Sequence, residues 1–288
     1  MVQTADASFT LRPMRLEDIP DGLRLCRASG WNQREDDWRA LLSLNPGGFV
    51  AAVSEGRVVG TGGAVRYGTG LAWMCMILVD PESRSQGLGS RITEELLRRL
   101  EHVAVVGLDA TPGGRLVYAK LGLHEARELA RFDARALSAP PAATSAARAL
   151  KAADLGEVLT WDLEAFGADR SAVLHWALGH APDFAWCARG VGGLDGYCFG
   201  RHGHNADHIG PVMARRPEIA RDLVQACLAA HPGRRFFLDA PREPAEWPRA
   251  LAELGFVEQR PFTRMYRGQG KEPGRPAELY AVVGPEFG

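Results

Sequence analysis

The feature that most constrains this chain is that its two halves can be laid over one another. Arg12…Asp18-Ile19 is answered by Arg148…Asp154-Leu155 at an offset of 136, Phe49-Val-Ala-Ala by Phe184-Ala-Trp-Cys at 135, and Gly60 by Gly196 at 136. Leu108-Asp-Ala-Thr-Pro is answered by Leu238-Asp-Ala-Pro-Arg at 130, and Leu121-Gly-Leu by Leu254-Gly-Phe at 133. One such match is worthless, because short apolar strings recur by chance; five in order with slowly drifting offsets predict two copies of one unit. Solenoid repeats are far shorter, so each copy is read as a domain. Pro140-Pro141 in the small, uncharged stretch Ser138–Ala146 can extend neither a helix nor a central strand. The stretch is therefore read as a linker between domains 1–137 and 147–288. With 288 residues, 46% apolar and 24% charged, the chain is long enough for two modest cores, and disorder, collagen and coiled coil are excluded.

The first copy reads α-α-β-β-β-α-β-α-β. Ile19, Leu23 and Cys26 are at helical spacing, and Asp37–Leu44 forms a second helix. Phe49–Val53, Val58–Val65 and Leu71–Val79 are β-prone, with turns at Ser54–Arg57 and Tyr67–Gly70. Leu88, Ile92, Leu96 and Leu100 make the apolar stripe of a helix running to about His102. Val103–Leu108, Arg115–Lys120 and Glu128–Ala134 complete the unit as strand, helix and strand. Between the third strand and the striped helix stands Val79-Asp-Pro-Glu-Ser-Arg84-Ser-Gln-Gly87-Leu-Gly89-Ser90. Two glycines there let main-chain N–H groups approach an anion, and the helix N-terminus adds unpaired donors. A phosphate site is implied. No Lys-Ser/Thr follows at P-loop spacing, and Ile92 stands where a dinucleotide fingerprint needs Gly or Ala.

Lys+Arg (34) against Asp+Glu (35) gives a charge of −1, so no global field favours nucleic acid or an anionic membrane. The five cysteines are scattered without a C-x-x-C pair, which suggests neither a disulfide framework nor a zinc site. Cys75, between Met74 and Met76 with no evident His partner, reads as packing. No secretion signal and no apolar run near the ~20 residues of a membrane helix is visible, so a cytoplasmic protein is expected. His202, His204 and His208 read as a solvated hairpin turn, with no metal required. Trp161, Trp176, Trp186 and Trp247 read as core or interface residues of the second copy.

The run Val79-Asp-Pro…Arg84-Ser-Gln-Gly87-Leu-Gly89 resembles the R/Q-x-x-G-x-G/A acyl-CoA pyrophosphate loop of the GCN5-related N-acetyltransferase (GNAT) family. Tyr118-Ala-Lys-Leu-Gly122-Leu123 is similar to that family's Tyr-x-x-x-Gly-Phe signature. The resemblance spans about Leu11 to Asp133, and the second copy is similar to tandem members whose C-terminal half is degenerate. It implies an α/β fold of two tandem acyl-CoA N-acyltransferase-like domains, each with a mixed, mostly antiparallel sheet flanked by helices. It implies acetyl-CoA as donor, with Ile77, Leu78 and Val79 pairing with the pantetheine arm and offering oxyanion-type stabilisation. Arg84, Ser85, Gln86, Gly87, Leu88, Gly89 and Ser90 would wrap the pyrophosphate, with Arg84 or Arg91 adding charge. Tyr118 would protonate the leaving thiolate.

The chain departs from the family in two places. Thr111 stands where many members carry an Asn, and the strand before Asp109 lacks the carboxylate some members use as base. A water chain or a carboxylate of the second domain is left for that task. In the second copy Arg215-Arg216-Pro217 replaces the glycine pair, so one cofactor site per chain is expected, with the second domain as acceptor-side wall or interface. Trp31, Asn32, Asp169 and Arg170 are candidates for acceptor contact; a helix cap and a surface ion pair are the alternative for the last two. The expected activity is direct acetyl transfer to a primary amine, the acceptor being a small molecule. A non-catalytic acyl-CoA sensor and a protein lysine or N-terminal acetyltransferase are the competing readings, and a homodimer is left open.

Overall fold

The computed structural model describes residues 9–135, 146–268 and 272–288, so all of the expected linker except Ala146 lies outside the described residues. Apart from short 3-10 turns, the first half runs β1 (Thr10–Pro13), α1 (Ile19–Ala28), α2 (Glu35–Leu44), β2 (Phe49–Ser54), β3 (Arg57–Tyr67), β4 (Leu71–Val79), α3 (Leu88–Arg99), β5 (Val105–Ala110), α4 (Pro112–Lys120) and β6 (His124–Ala134). The second half repeats that order as β7 (Ala147–Ala149), α5 (Leu155–Phe166), α6 (Ser171–His180), β8 (Trp186–Gly190), β9 (Gly193–Arg201), β10 (Asp207–Ala214), α7 (Pro217–Ala230), β11 (Phe236–Pro241), α8 (Glu246–Glu253) and β12 (Val257–Gly268), then adds β13 (Leu279–Ala281). In the first half, where the sequence was read element by element, only β1 escapes the reading, its four residues being too few to display an alternation.

The matched residues make matching bonds. Arg12 donates to both oxygens of Asp18 at 2.6 and 2.7 Å, and Arg148 to both oxygens of Asp154 at 2.8 Å; each carboxylate also accepts a main-chain N–H, from Arg15 and Lys151 respectively. A Cβ on Gly60 would lie 3.0 Å from Ile92, and one on Gly196 2.6 Å from Ile219, so a bare backbone is what seats α3 and α7 on the sheet.

The strands form one continuous sheet in the order β1-β2-β3-β4-β5-β12-β6-β11-β10-β9-β8-β7, with β13 paired to β10. Pairing is antiparallel except for β4–β5 and β10–β11. The halves exchange their last long strands: β12 lies between β5 and β6, and β6 between β12 and β11. Met265 of β12 thereby joins the first half's core with Ile92 and Leu96, while Phe132 of β6 joins the second's with Leu223 and Leu238. Two reciprocal buried ion pairs lock the exchange. Arg264 on β12 reaches Asp109 on β5 at 2.8 and 2.9 Å, and Arg131 on β6 reaches Asp239 on β11 at 2.8 and 2.7 Å. The aspartates of the matched Leu-Asp-Ala strings thus have the same task in each half.

The β4–β5 ladder covers only Leu71–Trp73 against Val105–Gly107, after which the strands part. A bulge explains the divergence: β4 slips register against β3 between Thr61 and Gly63, Met76 takes φ 53°, and Thr61 Oγ1 donates to Met76 O at 2.9 Å. In the second half β10 and β11 also pair over only two residues, Asp207 and His208. There β13 fills the gap, pairing with Val212 and Met213 of β10, while the Val282 N–H bonds to Asp239 O of β11 at 2.9 Å.

Candidate functional site

The open gap beside β4 is a groove whose free space, mouth included, is about 1500 Å³. Ile77, Leu78 and Val79 form one wall; Arg84, Ser85, Gly87, Leu88, Gly89 and Ser90 close one end; Thr111, Gly114 and Tyr118 stand opposite. Of the expected cofactor contacts Gln86 and the alternative cation Arg91 are not in the lining, and the Gln86 amide donates to Glu82 O at 3.4 Å on the surface. Gly87 caps α3 at φ 77°, a conformation costly for a side chain, and the first turn of α3 carries no acidic residue. Its leading N–H groups have no intrahelical partner and face an anion favourably. Arg84 donates to Val79 O at 3.2 Å and stays in the groove, whereas Arg91 stacks over Phe9 at 4.2 Å.

An inner cavity of about 560 Å³, its opening included, adjoins the groove, sharing Trp31, Ile77, Thr111, Tyr118 and Arg260 with it. Tyr118 therefore stands where the two spaces meet. Its half-buried ring leans on Gly114, where an added Cβ would come within 2.7 Å of the ring, and burial pushes the hydroxyl up to about 12. The phenol is protonated at neutral pH. Cys75 also lines the cavity, and burial pushes its thiol well above the ordinary value, so the nucleophilic thiolate is suppressed.

The family model described as Acetyltransferase (GNAT) family matches residues 16–123, and that described as Acetyltransferase (GNAT) domain matches 158–281. The chain is a tandem member of the GNAT acetyltransferase family. The uncharacterized N-acetyltransferase YitH of Bacillus subtilis is 24% identical to it over 274 residues, 94% of this chain and 96% of the relative. The holothin acyltransferase of a Pseudoalteromonas species is 25% identical over 287 residues, 98% of this chain and 95% of the relative. A crystal structure from Pyrococcus horikoshii superposes with a TM-score of 0.83 at 20% identity, covering 97% of this chain and 96% of that one, which shows a shared fold.

Three acceptor-contact candidates of this GNAT chain, Asn32, Asp169 and Arg170, line neither the groove nor the inner cavity. Arg170 is buried, its guanidinium bonded to Asp162 at 2.8–3.2 Å and to Gly288 O at 3.0 Å, and it lines neither the groove nor the inner cavity. Asp169 is exposed and accepts the Ser171 N–H at 2.9 Å, in the manner of a helix cap. Asn32 fastens the halves together: its side chain accepts from Asn205 N at 2.7 Å and Ala206 N at 3.2 Å and donates to Ala206 O at 2.8 Å. Asn32→Ala should cost about 1–3 kcal/mol in denaturant unfolding, because buried main-chain groups lose their partners. An unchanged midpoint would show that the staple contributes nothing. Trp31 alone of the four lines the site.

His208 is corrected: it lies on β10, fully buried, rather than in the turn, and burial lowers its ring to about 3, keeping it neutral. Among the described residues no group of three or more His, Cys, Asp or Glu could hold a metal ion, and no helix is long and apolar enough to cross a membrane. Sequence reasoning missed Gln33, Arg260, Phe262 and Glu286, which line the inner cavity. The last three come from the second half, and no local motif marks them.

Proposed function

We propose that the first half transfers the acetyl group of acetyl-CoA to a primary amine of a small molecule. The observation that carries this reading is the gap beside β4, which runs from an acid-free helix start to a protonated Tyr118 at the mouth of a separate cavity. The residues suit the donor. A Cβ on Gly89 would meet nothing nearer than Val79 at 3.7 Å, so the bare position leaves the helix start open to a pyrophosphate. The N–H groups of Leu88, Gly89 and Ser90 would hold that group with Arg84 adding charge, and the free edge of Ile77–Val79 would hold the pantetheine arm. When bound, acetyl-CoA supplies an acyl group already activated as a thioester. Tyr118 Oη would give its proton to the departing thiolate sulfur. In the second half β13 occupies the corresponding gap and Pro217 opens α7, which supports a single donor site per chain.

Acetyl-CoA binding by calorimetry and CoA release over an amine panel test the reading. One equivalent bound and CoA released with amines are expected; binding without release from any acceptor would leave a sensor, and acetyl groups appearing on a partner protein would favour a protein acetyltransferase. Gly89→Val should leave the melting temperature near the wild-type value and abolish binding, because the new side chain stands in the anion's place. Unchanged affinity would remove this loop from the site.

A further inference from the structure

Two charged side chains of the inner cavity lack the partners that burial ordinarily demands. Arg260, on β12, forms no ion pair among the described residues; its Nε has no hydrogen-bond partner, and the guanidinium stacks on Phe262 at 4.9 Å. Glu286 is 2% exposed, its Oε1 held by Arg201 while Oε2 has no partner. Asp37 grips the other side of Arg201 at 3.0 Å, so the carboxylate is fixed from behind. Gln33 Oε1, on the same cavity, is also unpartnered. Arg260 and Glu286 feel each other's charge without bridging. Burial and the adjacent Arg131, itself engaged by Asp239, push the Arg260 guanidinium down to about 10.

An unpaired guanidinium at such a site is unfavourable, and a planar fork of donors suits a carboxylate or phosphate better than any neutral group. A lone carboxylate oxygen beside an amide oxygen suits an ammonium, which only donates. We infer that the acceptor is an amine that also carries an anionic group, with the anion on Arg260 and the ammonium on Glu286 Oε2 and Gln33 Oε1. This rests on the amine-transfer reading above and adds the acceptor's second charge to it. Both charged poles, Arg260 and Glu286, come from the second half, so they are brought to the cavity by the strand exchange and by the segment after β13, with Gln33 added from the first half.

Matched amines that differ in the anionic group test it: 4-aminobutyrate against butylamine, and phosphoethanolamine against ethanolamine. With acetyl-CoA as donor, the charged member of at least one pair should be favoured tenfold or more in kcat/KM, the pair that responds telling carboxylate from phosphate. Arg260→Gln should erase that preference, and because the donor is common to both members of a pair a change in acetyl-CoA affinity cannot account for the loss. Its melting temperature should not fall, since a half-buried charge without an ion-pair partner is removed. A second readout needs no turnover: the charged amines should raise the melting temperature of the wild type and not of Arg260→Gln. Equal or inverted preference in both pairs without such a shift overturns the inference, as does an Arg260→Gln defect confined to acetyl-CoA binding. Absence of CoA release with every amine, while the Arg260-dependent shifts persist, overturns amine transfer and upholds the anion site.

Discussion

Tyr118→Phe should lower kcat about 10²–10³-fold while the Kd for acetyl-CoA stays within experimental error of wild type. The substitution removes one oxygen and keeps the ring, so the contact with Gly114 survives and the fold is undisturbed. What is lost is a proton donor at the junction of groove and cavity. With the hydroxyl pushed up to about 12, the acid form persists well beyond the ordinary tyrosine range near 10. A raised pKa extends the proton-donating form to higher pH, so the wild-type rate should show no alkaline fall centred near 10 that belongs to this group. Stopped-flow or steady-state CoA release measures both quantities, and turnover unchanged in Tyr118→Phe would remove the residue from the mechanism.

Asp239→Ala should destabilise the protein by about 3–5 kcal/mol in equilibrium denaturation, the usual result of stranding a buried charge. Its guanidinium partner Arg131 is 3% exposed at the side chain and bonded through two of its nitrogens. Burial alone would raise the Asp239 carboxyl, yet Arg131 overrides it and holds the group below the ordinary carboxylate value. The stabilisation is therefore present above the unfolded carboxylate pKa of about 3.9 and is lost as pH falls toward the depressed folded value. Replacing both partners, Arg131→Met with Asp239→Leu, should recover most of the loss, because neither charge then remains to be desolvated. A single variant as stable as wild type would mean that this ion pair contributes nothing to holding the exchanged strands.

The legible parts of this molecule were those written in consecutive residues. Gly87, Gly89 and the stripe Leu88-Ile92-Leu96 declare a glycine turn and the helix after it because each depends on neighbours in sequence, and the spacing of Tyr118 to Gly122 marks the end of α4 in the same way. The duplication was legible for a similar reason: Arg12–Asp18 and Arg148–Asp154 are local pairs that must recur whenever the unit recurs. Arg170 and Asn32 bond within the fold and line neither space, and sequence cannot separate the two cases, because a polar residue near an expected entrance gives the same signal whether it faces ligand or fastens the fold. Arg260 and Glu286 carried no signal at all. Their position depends on β12 crossing into the other half's sheet and on the segment after β13 running back to Trp73 and Tyr67, whose side chains donate to Pro285 O at 2.9 Å and Phe287 O at 2.7 Å.

That last segment touches both halves at once. Leu279–Ala281 closes the gap that would otherwise resemble a second groove, and Pro285 and Glu286, a few residues on, wall the cavity of the first. The duplicated unit has thus become the mould for its sibling: blocking one copy and finishing the other are a single act of chain placement. Neither copy is then free to vary alone, since a change that reopened the closed gap would also pull a wall from the open one.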